Sequence, residues 1–148
     1  NAKYDFPKAN LQGLAFSFSG LKTAVRYFLR DQVKKDPKFI EKHKADIAAS
    51  VQRTIIQTLL NKLKEASETH NITEIAIAGG VSANSGLRKE LRDCAKLNKW
   101  QVYIPSFQYC TDNAGMIAQT ATYLYEKKIF SSLDLAPKSR LPMTYQTS

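Results

Sequence analysis

The sequence predicts an α/β domain with parallel strands, and three observations predict it. Ile75-Ala-Ile-Ala-Gly-Gly80 carries an alternating apolar strand into two glycines. A helical pattern, Leu87, Leu91, Cys94 and Ala95, follows at once. The order then repeats, with Val102-Tyr-Ile-Pro105 running into the loop Cys110-Thr-Asp-Asn-Ala-Gly-Met116. Strand, helix, strand at this spacing is a crossover unit, which makes its two strands parallel. In such sheets ligands lie beyond the carboxyl ends of the strands, where both loops fall.

The elements follow in order. Residues 1–10 lack periodicity and read as an extended lead-in, with Asn1-Ala2 as candidates for a tag-cleavage remnant. Leu14-Ala-Phe-Ser-Phe18 alternates as a short strand does. Ser19 is a candidate N-cap for a helix whose apolar face is Leu21, Ala24, Val25, Phe28 and Leu29, ended by the 34–37 stretch with Pro37. A long helix runs from Phe39 or Ala45 to Ser67. Ile47, Val51, Ile55, Leu59 and Leu63 recur at every fourth position, and Ala48, Ile56, Leu60 and Ala66 widen the stripe into a core-facing surface. Strand 74–78, helix 84–97, strand 101–104 and helix 113–127 come next. From Ser131 the chain is irregular, with Pro137 and Pro142, and reads as a packed arm.

With 148 residues and 43% hydrophobic content, the chain can bury one sizeable core. Its apolar runs are too short to span a bilayer, so no membrane role is expected. Cys94 and Cys110 lack CxxC spacing and read as free thiols in a reducing cytoplasm. A net charge of +9 favours anionic partners, nucleic acid above all. Twelve of the 22 basic residues fall into three clusters, Lys34 to Lys44, Arg88 to Lys99, and Lys127-Lys128. Taken singly these are solvated helix faces, and a shared surface would make them a nucleic-acid footprint.

Gly79 and Gly80 let a ligand lie directly against the backbone, or simply provide a tight turn. Ser82 and Asn84 add polar side chains beside the same turn, although Asn84 serves equally as a helix cap. Asp112 sits at a helix start, where the dipole stabilises it, and is also a candidate oxygen ligand for a metal. His43 and His70 form no HxxxH or HExxH pair and read as surface residues, so no complete metal site is expected within the chain. Neither a GxxxxGK[ST] loop nor a Ser-His-Asp signature is present. Phe16 and Phe18 read as core side chains under a sheet, with Ser17, Ser19 and Lys22 as candidates for the mouth of the site.

Four motifs now add up. Phe16-Ser-Phe-Ser-Gly-Leu-Lys-Thr23, Asp46-Ile-Ala-Ala-Ser50, Gly79-Gly-Val-Ser-Ala-Asn84 and Cys110-Thr-Asp-Asn-Ala-Gly-Met-Ile-Ala118 resemble the second half of the tRNA adenosine threonylcarbamoyltransferases. This is the TsaD/Gcp/Kae family, formerly described as O-sialoglycoprotein endopeptidases. The motifs stand in the family's order, and the resemblance covers roughly Leu11 to Pro142. It implies that residues 11–142 form the C-terminal lobe of an actin-like ATPase (ASKHA) fold, followed by a tail at 143–148.

The resemblance further implies transfer of threonylcarbamoyl from threonylcarbamoyl-adenylate to adenosine 37 of tRNA. Asn84 corresponds to the adenylate-contacting asparagine, and Gly79 and Gly80 to the adjacent wall. Ser82, in the same motif, is likewise an adenylate-binding candidate, and Asn113 neighbours the metal position. Asp112 corresponds to an aspartate that completes an iron or zinc site with two histidines. Those histidines, the SGGHT loop and the DAAGEAFD segment belong to the family's first half and are absent from these residues. Gly115 stands where alanine is common. By itself the chain is therefore expected to be inactive, needing the N-terminal lobe and companion subunits of the TsaB and TsaE type. A metallopeptidase, a non-catalytic actin-like nucleotide-binding partner and a sugar or acyl kinase are the alternatives.

Overall fold

The computed structural model describes residues 1–8 and 11–137. Pro142 and the 143–148 tail lie outside the described residues. Two compact units are present, Asn1–Thr111 and a second that begins at Asp112.

The first unit opens with an extended segment held against two helices, α1 (Ser19–Lys35) and α2 (Phe39–His70). Tyr4 packs on Phe28 at 5.0 Å between ring centroids, Phe6 on Phe28 at 5.4 Å, and Phe28 on Phe39 at 5.9 Å. Arg53 fastens the segment by donating to the carbonyls of Ala2 and Tyr4, both at 3.0 Å, and to Asp5. Lys3 Nζ stands 2.8 Å from Asp46. His43 is half-buried, with its ring 4.6 Å from that of Phe39, so it belongs to this aromatic cluster rather than to the open surface. His70 is exposed in the last turn of α2.

Leu14–Phe18 does not form the expected strand. It follows a turn at Gly13, where φ is +58°, and remains irregular. Alternation specifies a strand only where a partner supplies the ladder bonds, and no partner strand meets this segment among the described residues. Phe16 is accordingly 49% exposed, not buried under a sheet, and meets the Phe18 ring at a tilt, 5.7 Å between centroids. Lys62 of α2 donates to the carbonyls of Leu11 and Gly13, pinning the loop. The helix start also differs by one step. Phe18 holds the cap position of α1, and Ser17 rather than Ser19 offers the hydroxyl, accepting from Ser19 N–H at 3.3 Å.

α2 spans 32 residues, about 48 Å at 1.5 Å per residue. Its fully buried line combines Ile47 and Ile56 with Ser50, Thr54 and Thr58. These hydroxyls donate to the carbonyls four residues back, at 2.6, 3.0 and 2.8 Å. Burial therefore leaves no hydroxyl unpaired. Val51, Ile55 and Leu59 are only half-buried and Ala48 is exposed, because they face an open groove.

Helix α2 ends at Asn71 in the left-handed conformation (φ 52°), and the chain enters β1 (Glu74–Ala76). A single-turn 3-10 helix, Gly80–Ala83, leads to α3 (Ser85–Asn98), which ends at Lys99 with φ 57°. β2 (Gln101–Tyr103) pairs parallel to β1 in the register Glu74↔Gln101, Ile75↔Val102, Ala76↔Tyr103. Ile75, Leu91, Ala95 and Trp100 form the core between sheet and helix, with Leu60, Leu63, Val102 and Ile104 packed on it. The parallel strands and crossover helix agree with the sequence reading. The sheet itself has two strands among the described residues.

In the second unit α4 (Ala114–Glu126) is exposed along its whole length. Tyr125 and Phe130 meet edge to face at 6.0 Å. Residues 131–137 contain no helix or strand.

Candidate functional site

The Gly79 turn lies at the carboxyl end of β1, and its shape depends on one glycine. Gly79 adopts φ 80° and ψ 174°, a region essentially closed to residues with a Cβ. Gly80 has ordinary φ, and a Cβ built there meets nothing within 4 Å, so its face is open to a ligand. Ser82 is buried beneath the turn, where its hydroxyl donates to the Gly79 carbonyl at 2.7 Å. It shapes the loop from below.

Asn84 caps α3. Its Oδ1 accepts from Leu87 N–H at 2.9 Å, and its Nδ2 donates to Gln52 Oε1 of α2 at 3.1 Å. The side chain is half-buried at the rim of a groove of about 520 Å³. Ala48, Val51, Ile55 and Leu59 of α2 form one side of the groove, with Val81 and Leu87 opposite. An apolar cleft with a few convergent polar groups, here Asn84 and Gln52, is the usual form of a small-molecule site. A smaller groove of about 310 Å³, lined by Leu14, Phe16, Leu63, Ile77 and Leu91, has only Lys62 as a polar lining residue.

Gln52 was invisible to sequence reasoning, being one exposed polar residue on a long helix. Gly86 gives it room. A Cβ on Gly86 would stand 2.8 Å from Gln52 Nε2 and 3.1 Å from the Ile56 side chain.

Arg88 requires a correction to the basic-surface reading. It is 6% exposed and belongs to the interior. Nε donates to the Ser82 carbonyl at 2.6 Å, and Nη2 donates to the Pro105 carbonyl at 2.6 Å. The periodic signal was present, since Arg88, Leu91 and Ala95 share one helix stripe. Lys89, Arg92, Lys96 and Lys99 are exposed.

Ser17 is half-buried beside α1, and Lys22 is exposed on its first turn. Neither hydrogen-bonds to the 79–84 turn among the described residues. Asp112, in the second unit, is exposed and lies just before the cap of α4. Asn113 is that cap, its Oδ1 accepting from Met116 N–H at 3.2 Å. No group of three His, Cys, Asp or Glu that could hold a metal occurs among the described residues. No described helix is long and apolar enough to cross a membrane.

Fold and site together define an α/β protein with a glycine turn at the carboxyl end of a parallel strand, opening beside an apolar groove. The family model described as tRNA N6-adenosine threonylcarbamoyltransferase (TsaD) matches residues 1–119, and the chain belongs to that family. Relatives of that name include proteins of Christiangramia forsetii, 49% identical over 137 residues, and Porphyromonas gingivalis, 47% identical over 138. A third, from Cytophaga hutchinsonii, is 48% identical over 138 residues. In each case the match covers 93% of this chain and 40% of the relative. The chain thus spans about 40% of the length of the curated relatives it matches.

Proposed function

We propose that this chain forms one wall of the cleft of a tRNA-modifying enzyme. That enzyme transfers the threonylcarbamoyl group from threonylcarbamoyl-adenylate to adenosine 37 of tRNA. The observation that supports this is the meeting of Asn84 and Gln52 at the rim of an apolar groove that Val81, next to the open Gly79-Gly80 turn, also lines. The groove would take the adenylate's base, and the turn, with no side chain in the way, its phosphate. Ser82 would hold the turn in shape, and Asn84 would contact the nucleoside.

In this reading residues 11–142 are the C-terminal lobe of an actin-like ATPase fold, completed by an N-terminal lobe. The family is compatible with a metal and an adenylate ligand. Asp112 would supply one oxygen ligand to an iron or zinc ion, with Asn113 fixing the helix start beside it. Two histidines from outside this chain would complete that site, because one carboxylate does not hold a transition metal. The metal would supply Lewis-acid stabilisation of charge on the transferring group. Ser17 and Lys22 would stand at the outer edge of the substrate path. Exposed Lys89, Arg92 and Lys96 would meet tRNA phosphates, and the enzyme would work in the cytoplasm with companion subunits of the TsaB and TsaE type.

The test is transfer to tRNA by the full-length protein with its companion subunits, followed by charge reversal of Lys89, Arg92 and Lys96. Transfer should occur in the parent and not with this chain alone. The triple variant should bind tRNA more weakly, with a shallower salt dependence, and bind the adenylate unchanged. Absence of transfer by the complete assembly would sink the reading.

A further inference from the structure

Arg88 lies under the proposed ligand site, not in it. Its guanidinium is buried and has no carboxylate partner among the described residues. A cation withdrawn from water in this way requires dense hydrogen bonding. Arg88 obtains it from two separate segments. Nε donates to the Ser82 carbonyl at 2.6 Å, in the turn after β1. Nη2 donates to the Pro105 carbonyl at 2.6 Å and to Cys110 Sγ at 3.0 Å, both in the segment after β2. The Phe107 ring closes over the guanidinium at 4.1 Å.

Ser82 returns its own hydroxyl to the Gly79 carbonyl. A continuous path therefore runs from Gly79 through Ser82 and Arg88 to Pro105 and Cys110. The last rung between the two strands is Ile77 N–H to the Tyr103 carbonyl at 3.1 Å. Beyond it, no backbone hydrogen bond joins 79–84 to 105–110 among the described residues. Past the end of the sheet, the polar connection between the two segments passes through Arg88.

We infer that Arg88 is a positioning residue that locks the 79–84 turn to the 105–110 segment, so that the adenylate meets a turn already held in its binding shape. The inference rests on the adenylate site proposed above. Lysine cannot take over the task, because a single ammonium lacks the planar fork that reaches both segments at once and stacks on a ring.

The test uses the full-length protein and a non-hydrolysable threonylcarbamoyl-adenylate analogue. Arg88→Lys is expected to weaken analogue binding about tenfold, and Phe107→Ala about threefold. The double variant should bind no more weakly than Arg88→Lys alone, since Phe107 acts through Arg88. Hydrogen exchange in Arg88→Lys should quicken in 79–84 and 105–110 together, while α2 keeps wild-type protection. Wild-type affinity in the lysine variant, additive losses, or quickening in only one segment would overturn the inference. If Arg88→Lys does not fold, Cys110→Ala, which removes one of the acceptors, replaces it: analogue binding should weaken and exchange should quicken in both segments, and wild-type affinity or quickening in only one segment would overturn the inference. Failure of the unaltered protein to bind the analogue would instead refute the adenylate site, and the exchange result would still decide whether Arg88 couples the segments.

Discussion

Asn84 donates its Nδ2–H to Gln52 Oε1 at 3.1 Å, which ties the cap of α3 to the middle of α2. The same amide accepts the Leu87 N–H through Oδ1, so both ends of one side chain are committed. Cap and ligand contact had stood as rival readings of this residue. The amide's orientation, set by the cap, is what would present it to a ligand.

Asn84→Ala should therefore show two losses. Removing a cap of this type costs about 1 kcal/mol of stability. Removing one ligand hydrogen bond of ~0.5–1.5 kcal/mol lowers adenylate affinity about 2- to 13-fold. Asn84→Ser separates the two by keeping a capping oxygen without the reach to Gln52. Calorimetry with the adenylate analogue, beside thermal melts, reads both. Equal affinity in a folded alanine variant leaves Asn84 as a cap only.

Gly79 and Gly80 should respond differently to the same change. Gly79→Ala forces a Cβ into φ 80° and ψ 174°, costing ~1–3 kcal/mol. Gly80→Ala meets open space and should alter stability by less than ~0.5 kcal/mol. A stable Gly80→Ala protein that no longer binds the adenylate would locate the ligand against that backbone. Normal binding would place it elsewhere.

Asp46 predicts a pH response. Lys3, hydrogen-bonded to it, holds its carboxyl below the ordinary carboxylate range. Because the folded value is depressed below the ordinary 3.8, the contribution to stability is present above that pH and is lost as pH falls through the folded value. Carboxyl carbon NMR should place the midpoint below 3.8, and Lys3→Met should raise it. A wild-type midpoint near the ordinary value would show that the lead-in does not engage α2 in solution.

Asp112→Ala in the full-length protein should strip or greatly weaken metal binding while the fold survives, since a helix-start carboxylate contributes only ~0.3–1 kcal/mol. Elemental analysis with circular dichroism as a control reads the outcome. Stoichiometric metal in the folded variant would remove Asp112 from the ligand set.

The parts of this fold that could be read beforehand are those whose pattern has one physical solution. Ile47, Val51, Ile55 and Leu59 at steps of four admit only a helix, and α2 extends from Phe39 to His70. The glycine pair between an alternating run and Leu87 admits a strand-to-helix turn, which is what forms. Phe16 and Phe18 misled because alternation is also compatible with an unpaired loop. Arg88 misled for a different reason. Charge is normally solvated, and nothing local announces that carbonyls at Ser82 and Pro105 will converge on it. Gln52 gained its meaning only when Gly86 brought α3 close.

The left-handed residues Asn71 and Lys99 make the same joint at the two passages from helix to strand. At each, the residue that follows, Ile72 or Trp100, donates its N–H to a carbonyl five residues earlier, at 3.0 and 2.9 Å. Each joint therefore acts as a phase marker for the strand behind it, fixing which alternate residues face inward. One residue inserted between Lys99 and Gln101 would exchange Val102's half-buried place for that of an exposed neighbour, while every helix residue stayed as it was. The distance between each helix's stop and its strand is thus a counted quantity, and a sequence that drifts freely in composition here cannot drift in length.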